Sequence, residues 1–179
     1  MNINSNTVKL ALAAMFAAFI CVATMIIKIP TFATSGYVNI GDAMILLTVW
    51  ILGGTYAALA AGIGSALADL LCGYTSYAPG TFVIKFAMAF AAFMVFKALT
   101  KLSLNKFVTY IISAVVAEAI MIGGYLAYEW TLLGYGAGAL PSVVSNLGQG
   151  VTCGILAVVA IAVLDVSKVT ALINKYKEA

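Results

Sequence analysis

The chain has 179 residues, 64% of them hydrophobic and only 8% charged, with a net charge of +3 and a mean hydropathy of +1.12. Soluble domains run at about 45–50% apolar and about 25% charged residues. The composition therefore places the chain in a membrane and excludes a cytosolic enzyme or a nucleic-acid binder.

The length allows one domain, spanning 1–179. At about 20 residues per crossing, it has room for at most six transmembrane helices. Histidine is absent, which removes the Ser-His-Asp triad and any histidine-ligated metal. No G-x-x-x-x-G-K-[ST] run occurs either, so ATP-driven work would need another subunit. Cys21, Cys72 and Cys153 lie far apart inside apolar runs and read as small apolar filler. Neither a catalytic site, nor a metal site, nor a cofactor is expected.

The first apolar run predicts a helix over about 8–28. It is longer than a signal-peptide core and reads as a retained helix. Pro30 is expected to end it. Residues 31–41 then form a loop longer than packed helices need, which suggests an external lid. The stretch from Asp42 to Leu71 would measure about 45 Å as one helix, too long for a hydrocarbon core of about 30 Å. Gly53-Gly54 offers a break, giving helices over about 41–52 and 55–72. The first of these would be too short to span fully. Three further helices follow, over about 80–99, 107–133 and 142–164, with a polar tail from 165 to 179. The expected fold is thus an all-α integral membrane protein with six transmembrane helices.

Lysine placement gives the orientation. With six helices, Lys9, Lys97, Lys101, Lys106, Lys168, Lys175 and Lys177 share one side, seven of the nine basic residues. Both termini are then cytoplasmic, and the long first loop is external. A five-helix arrangement would strand only Lys9, so charge favours six helices weakly. Any ligand site should open outward.

Ionisable groups inside a membrane need a partner or a cavity. Asp42, Asp69 and Lys85 lie at a similar depth near the outer surface. An Asp–Lys ion pair, an N-cap at Asp42, or hydrogen bonds to a polar ligand would each account for them. Glu118 lies near the middle of the fifth helix, where a ligand cavity or a partner helix must satisfy it. Glu129 is close enough to its helix end to snorkel. Asn146 and Gln149 share one helical face and suit either helix–helix bonding or ligand recognition. Most outer tyrosines fit an interfacial belt. Tyr77 and Tyr125 are better placed to stack on a flat ligand, and Asn39 in the first loop completes the set. Small residues recur four apart, as Ala13/Ala17 and Ala14/Ala18 in helix one and from Gly54 to Ala66 in helix three. Such stripes let helices approach closely.

The segments Gly36-Tyr-Val-Asn-Ile-Gly-Asp-Ala43, Gly62-Ile-Gly-Ser-Ala-Leu-Ala-Asp-Leu-Leu71 and Tyr77-Ala-Pro-Gly-Thr-Phe-Val-Ile-Lys85 together resemble the S components of energy-coupling factor (ECF) vitamin transporters. The hydroxymethylpyrimidine or pyridoxine-type subgroup is the most similar, and pantothenate and riboflavin S components share the scaffold. The resemblance implies a high-affinity vitamin-binding subunit in the cell membrane, with an outward pocket capped by the first loop. It also implies a transmembrane T component and two ATP-binding-cassette ATPase subunits as partners. The family's helix-one alanines that contact the T component would fall on Ala14 and Ala18, and Ala13 and Ala17 fit the spacing as well. The competing reading is a self-sufficient, ion-coupled secondary transporter. The absence of an evident inverted repeat speaks against it.

Overall fold

The structure is a computed structural model that describes residues 5–31 and 34–170. Among the described residues are six α-helices: α1 (Ser5–Ile26), α2 (Gly41–Ile51), α3 (Gly54–Leu71), α4 (Ala78–Lys101), α5 (Lys106–Thr131) and α6 (Leu140–Val166). Two short strands, β1 (Lys28–Pro30) and β2 (Tyr37–Asn39), stand between α1 and α2. A 3-10 turn, Gly136–Ala139, precedes α6.

Five of the helices are long and apolar enough to cross a bilayer, and α2 is not. All six expected helices are present, and α2 is the short one, as its length in the sequence implied. Eleven residues at about 1.5 Å each reach only about half of a 30 Å hydrocarbon core. A helix that is apolar all round belongs inside a bundle, and ten of the eleven α2 residues are buried. It packs against α1, α3, α4 and α6, so the longer helices surround it. The break into α3 falls at Gly53 and Gly54, both at positive φ (69° and 64°), a conformation that strains other residues.

Helix α1 stops at Ile26, before the position expected from Pro30. Residues 28–30 pair antiparallel with β2 instead, in the register Lys28↔Asn39, Ile29↔Val38 and Pro30↔Tyr37. The residue before a proline favours extended backbone, so Ile29 suits a strand better than a last helical turn. The first loop is therefore partly a strand ribbon, closed at its base by Thr31 N–H donating to the Gly36 carbonyl at 3.1 Å. The tail expected from 165 begins inside α6, and residues 171–179, with Lys175 and Lys177, lie outside the described residues.

Lipid gives no hydrophobic drive between spans, so close packing must hold them. Gly64 on α3 supplies it: an added Cβ there would stand 2.4 Å from the Ala17 carbonyl oxygen of α1. At the lysine-rich end, Asp165 joins α5 to α6 through Lys106 at 2.6 Å and Tyr110 at 3.0 Å. Trp50 at the foot of α2 donates to Ser113 of α5 at 2.9 Å. The ribbon lies at the opposite end of the bundle.

Candidate functional site

The ribbon covers a cavity at its end of the bundle. Its free volume is about 20 Å³, room for about one water. Its lining includes Thr31, Gly36, Tyr37 and Asn39 from the ribbon and Asp69 from α3. Tyr77 and Thr81 come from the start of α4, Tyr125 and Glu129 from α5, and Asn146 and Gln149 from α6.

Behind the wall lies an ion pair. Lys85 Nζ donates to Asp42 Oδ1 at 2.5 Å, and both side chains are sealed from solvent. Asp42 sits in the first turn of α2, where the helix dipole favours an acid. Its second oxygen accepts from Gln149 Nε2 at 2.5 Å. Gln149 Oε1 in turn accepts from the backbone N–H of Asn39 at 2.6 Å. The Asn39 side chain holds the entry to α2 by accepting from Gly41 N–H at 2.8 Å. The chain Lys85–Asp42–Gln149–Asn39 thus runs from the buried pair to the ribbon backbone.

The upper wall is a second polar group. Tyr37 Oη donates to Asp69 Oδ1 at 2.7 Å, and its ring packs 4.4 Å from that of Tyr74. Tyr77 Oη donates to Glu129 Oε1 at 2.9 Å, and Ser142 donates to the other oxygen of Glu129. Burial, with the charge of Asp69 beside it, pushes the Tyr37 phenol well above its ordinary range. Burial and Glu129 do the same for Tyr77. Both phenols are therefore hydrogen-bond donors at any physiological pH. Tyr125 shares a hydrogen bond with Thr81 at 2.9 Å, and its ring lies 5.3 Å from Lys85 Nζ.

Asp69 Oδ2 is buried and has no hydrogen-bond partner among the described residues. It belongs to a residue of the cavity wall, so a ligand N–H or O–H would satisfy it. Leaving such an atom unpaired costs about 1–3 kcal/mol.

Six of the nine residues expected at a ligand site line this one cavity: Asn39, Asp69, Tyr77, Tyr125, Asn146 and Gln149. Asp42 and Lys85 stand behind its wall and are tied to it through Gln149. Glu118 lines a different cavity, an apolar groove between α5 and α6. The lysine pairs with Asp42 and leaves Asp69 to Tyr37. Asp42 is no N-cap, since Ile40 holds that position. Glu129 does not snorkel: it is 2% exposed and held by two hydroxyls. Thr31, Gly36, Tyr37 and Thr81 are wall residues that the sequence reading did not single out for the site. Strand alternation puts Tyr37 on the same face as Asn39, and helical spacing puts Thr81 below Tyr77 and above Lys85.

On helix one, Ala13 is buried and Ala17 packs against the core, whereas Ala14 and Ala18 are exposed. The two alanine pairs thus lie about 100° apart around the helix, one toward the bundle and one away from it.

The chamber is polar and lies inside a bundle of apolar helices. Comparison with known proteins gives the family. A family model described as "ECF-type riboflavin transporter, S component" matches residues 4–166. The chain belongs to that S component family, and is a multi-pass membrane transport subunit rather than an enzyme. It is also 33% identical over 133 residues to a protein of Pyrococcus woesei described as "Uncharacterized protein in gap 3'region". That match covers 74% of this chain and 85% of the relative.

Proposed function

We propose that the chain is the high-affinity substrate-binding subunit of an ECF-type importer for a small vitamin or vitamin precursor. The observation that carries this reading is the unpartnered Asp69 Oδ2 in the wall of a polar cavity under the ribbon. Asn39, Asp69, Tyr77, Tyr125, Asn146 and Gln149 contact the ligand. Asp42 and Lys85 fix the position of Gln149. The ligand is a planar heterocycle with N–H or O–H donors, which suits carboxylate and amide acceptors and two tyrosine rings. The segment resemblance points to hydroxymethylpyrimidine or pyridoxine, and the family description points to riboflavin.

The closed cavity holds about one water, so the ribbon lifts to admit any of these. The lysine-rich end faces the cytoplasm, which opens the ribbon end outward. A T component docks on the exposed pair Ala14 and Ala18, and two ATP-binding-cassette subunits supply the energy.

The test is mass spectrometry of small molecules released from purified protein, followed by calorimetric titration with hydroxymethylpyrimidine, pyridoxine, riboflavin and pantothenate. One vitamin bound at one per chain supports the reading and names the substrate. No binding of any of the four, with gradient-driven uptake by the chain alone in liposomes, overturns it.

A further inference from the structure

Four of the six acids in the chain are buried, Asp42, Asp69, Glu118 and Glu129, each 6% exposed or less. Lys85 is the one buried cation among the described residues, and its ammonium is committed to Asp42. Lys28, at the base of the ribbon, lies on the exposed side and donates to Cys72 Sγ at 3.1 Å. Three buried carboxyls are thus left without a cation, inside a membrane, where uncompensated charge is costly. Such a group must take up a proton or meet a counter-ion. Glu118 lies toward the Asp42–Lys85 pair and is not part of the cavity lining, whereas Asp69 and Glu129 are.

The two lining acids differ in what already holds them. Glu129 has hydroxyls on both oxygens, from Tyr77 and Ser142. Asp69 has the Tyr37 phenol on Oδ1 and no hydrogen-bond partner on Oδ2 among the described residues. The other donors around the cavity are committed as well. The Gln149 amide bonds Asp42, and the Thr81 and Tyr125 hydroxyls bond each other. No basic residue is among the lining residues. The wall therefore offers a ligand spare acceptors and negative charge. An anion would meet two carboxyls and few free donors. A cation would meet a carboxylate that lacks a counter-ion, through a hydrogen bond about twice as strong as a neutral one. Tyrosine rings also attract cations through their faces, and Tyr37 and Tyr77 are both in the wall.

We propose that the cavity selects an organic cation, a small heterocycle whose protonated amine or ring nitrogen pairs with Asp69. The inference rests on the reading of this cavity as the vitamin site. It narrows that reading to positively charged ligands and excludes carboxylated and phosphorylated ones.

The test titrates the purified chain, by calorimetry, with ligands that share one ring and differ in net charge. One series is pyridoxamine, pyridoxine and pyridoxic acid. The other is hydroxymethylpyrimidine with its aminomethyl and carboxyl analogues. In the series that binds, the amine binds about tenfold more tightly than the alcohol, and the carboxylate gives no heat. Asp69→Asn brings the amine down to the affinity of the alcohol, and Glu129→Gln keeps the preference. The wild-type series decides the charge even where a variant does not fold. A cationic vitamin outside both series, released from the purified protein, supports the proposal too. Equal binding of amine and alcohol, or tightest binding of the carboxylate, would overturn it and leave the vitamin site standing. Riboflavin or pantothenate as the bound vitamin, one neutral and one anionic, would do the same. A preference kept in Asp69→Asn and lost in Glu129→Gln would overturn the assignment to Asp69. A chain that binds none of these compounds and releases no vitamin would overturn the vitamin site itself, and this inference with it.

Discussion

Gln149 bridges Asn39 and Asp42: its carbonyl accepts from the Asn39 backbone at 2.6 Å while its amide donates to the Asp42 carboxylate at 2.5 Å. One side chain of α6 therefore fixes the ribbon relative to the buried ion pair. Any ligand that takes over either bond of Gln149 changes what holds the ribbon down.

Replacing Gln149 by Leu removes both bonds. Hydrogen bonds to charged groups contribute about 1.5–3 kcal/mol, so the closed form loses on that order. Vitamin affinity falls tenfold or more, and amide exchange at 37–39 speeds up in the unliganded protein. Unchanged exchange at those amides, read by mass spectrometry, would show that the ribbon is held elsewhere.

The ion pair itself behaves asymmetrically. Lys85→Met strands the Asp42 charge, and breaking one side of a buried pair costs about 3–5 kcal/mol. The melting temperature in detergent drops accordingly. The double variant Asp42→Leu with Lys85→Met recovers most of that stability, because well-packed apolar replacements are often neutral. It does not recover vitamin affinity, since Gln149 loses its acceptor. A double variant as unstable as the single one would refute this account.

Much of this arrangement could be read from residue types, and some of it could not. The Gly53–Gly54 break, the helix boundaries to within a turn or so, and six of the cavity residues followed from hydropathy and from the cost of buried polar groups. Partner choice did not follow: Asp42 and Asp69 are both acids near Lys85 in depth, and only the three-dimensional packing of α2 inside the bundle decides between them. The same packing hid the role of Glu129, whose position near a helix end suits snorkelling until Tyr77 and Ser142 are seen to enclose it. A clearer signal was present in the polar stripes. Tyr77, Thr81 and Lys85 repeat four apart on α4, and Ser142, Asn146, Gln149 and Cys153 follow helical spacing on α6. Each stripe marks the face that its helix turns toward the cavity or the polar cluster beneath it.

Glycine positions separate packing from mere flexibility. Gly64→Ala would drive a methyl to 2.4 Å from the Ala17 carbonyl, and overpacking of this kind costs about 1–3 kcal/mol. Gly148→Ala has open space around it, and alanine is favoured over glycine in a helix by about 0.5–1 kcal/mol. The first variant melts several degrees lower and the second melts no lower than the parent. Equal melting of the two would mean that α1 and α3 can separate without penalty.

The two alanine pairs of α1 give the sharpest division between stability and coupling. Ala13 is 7% exposed and belongs to the core, so Ala13→Leu overpacks the bundle and costs about 1–3 kcal/mol. Ala14 and Ala18 are exposed, so Ala14→Leu and Ala18→Leu leave the stability within about 0.5 kcal/mol of the parent. If that face docks a T component, the same two substitutions hold the partner helices apart and abolish ATP-dependent uptake in liposomes containing the whole transporter. Vitamin titration of the isolated chain is unaffected, because the docking face and the cavity share no residue. Full uptake by Ala14→Leu would move the docking surface off this face of α1.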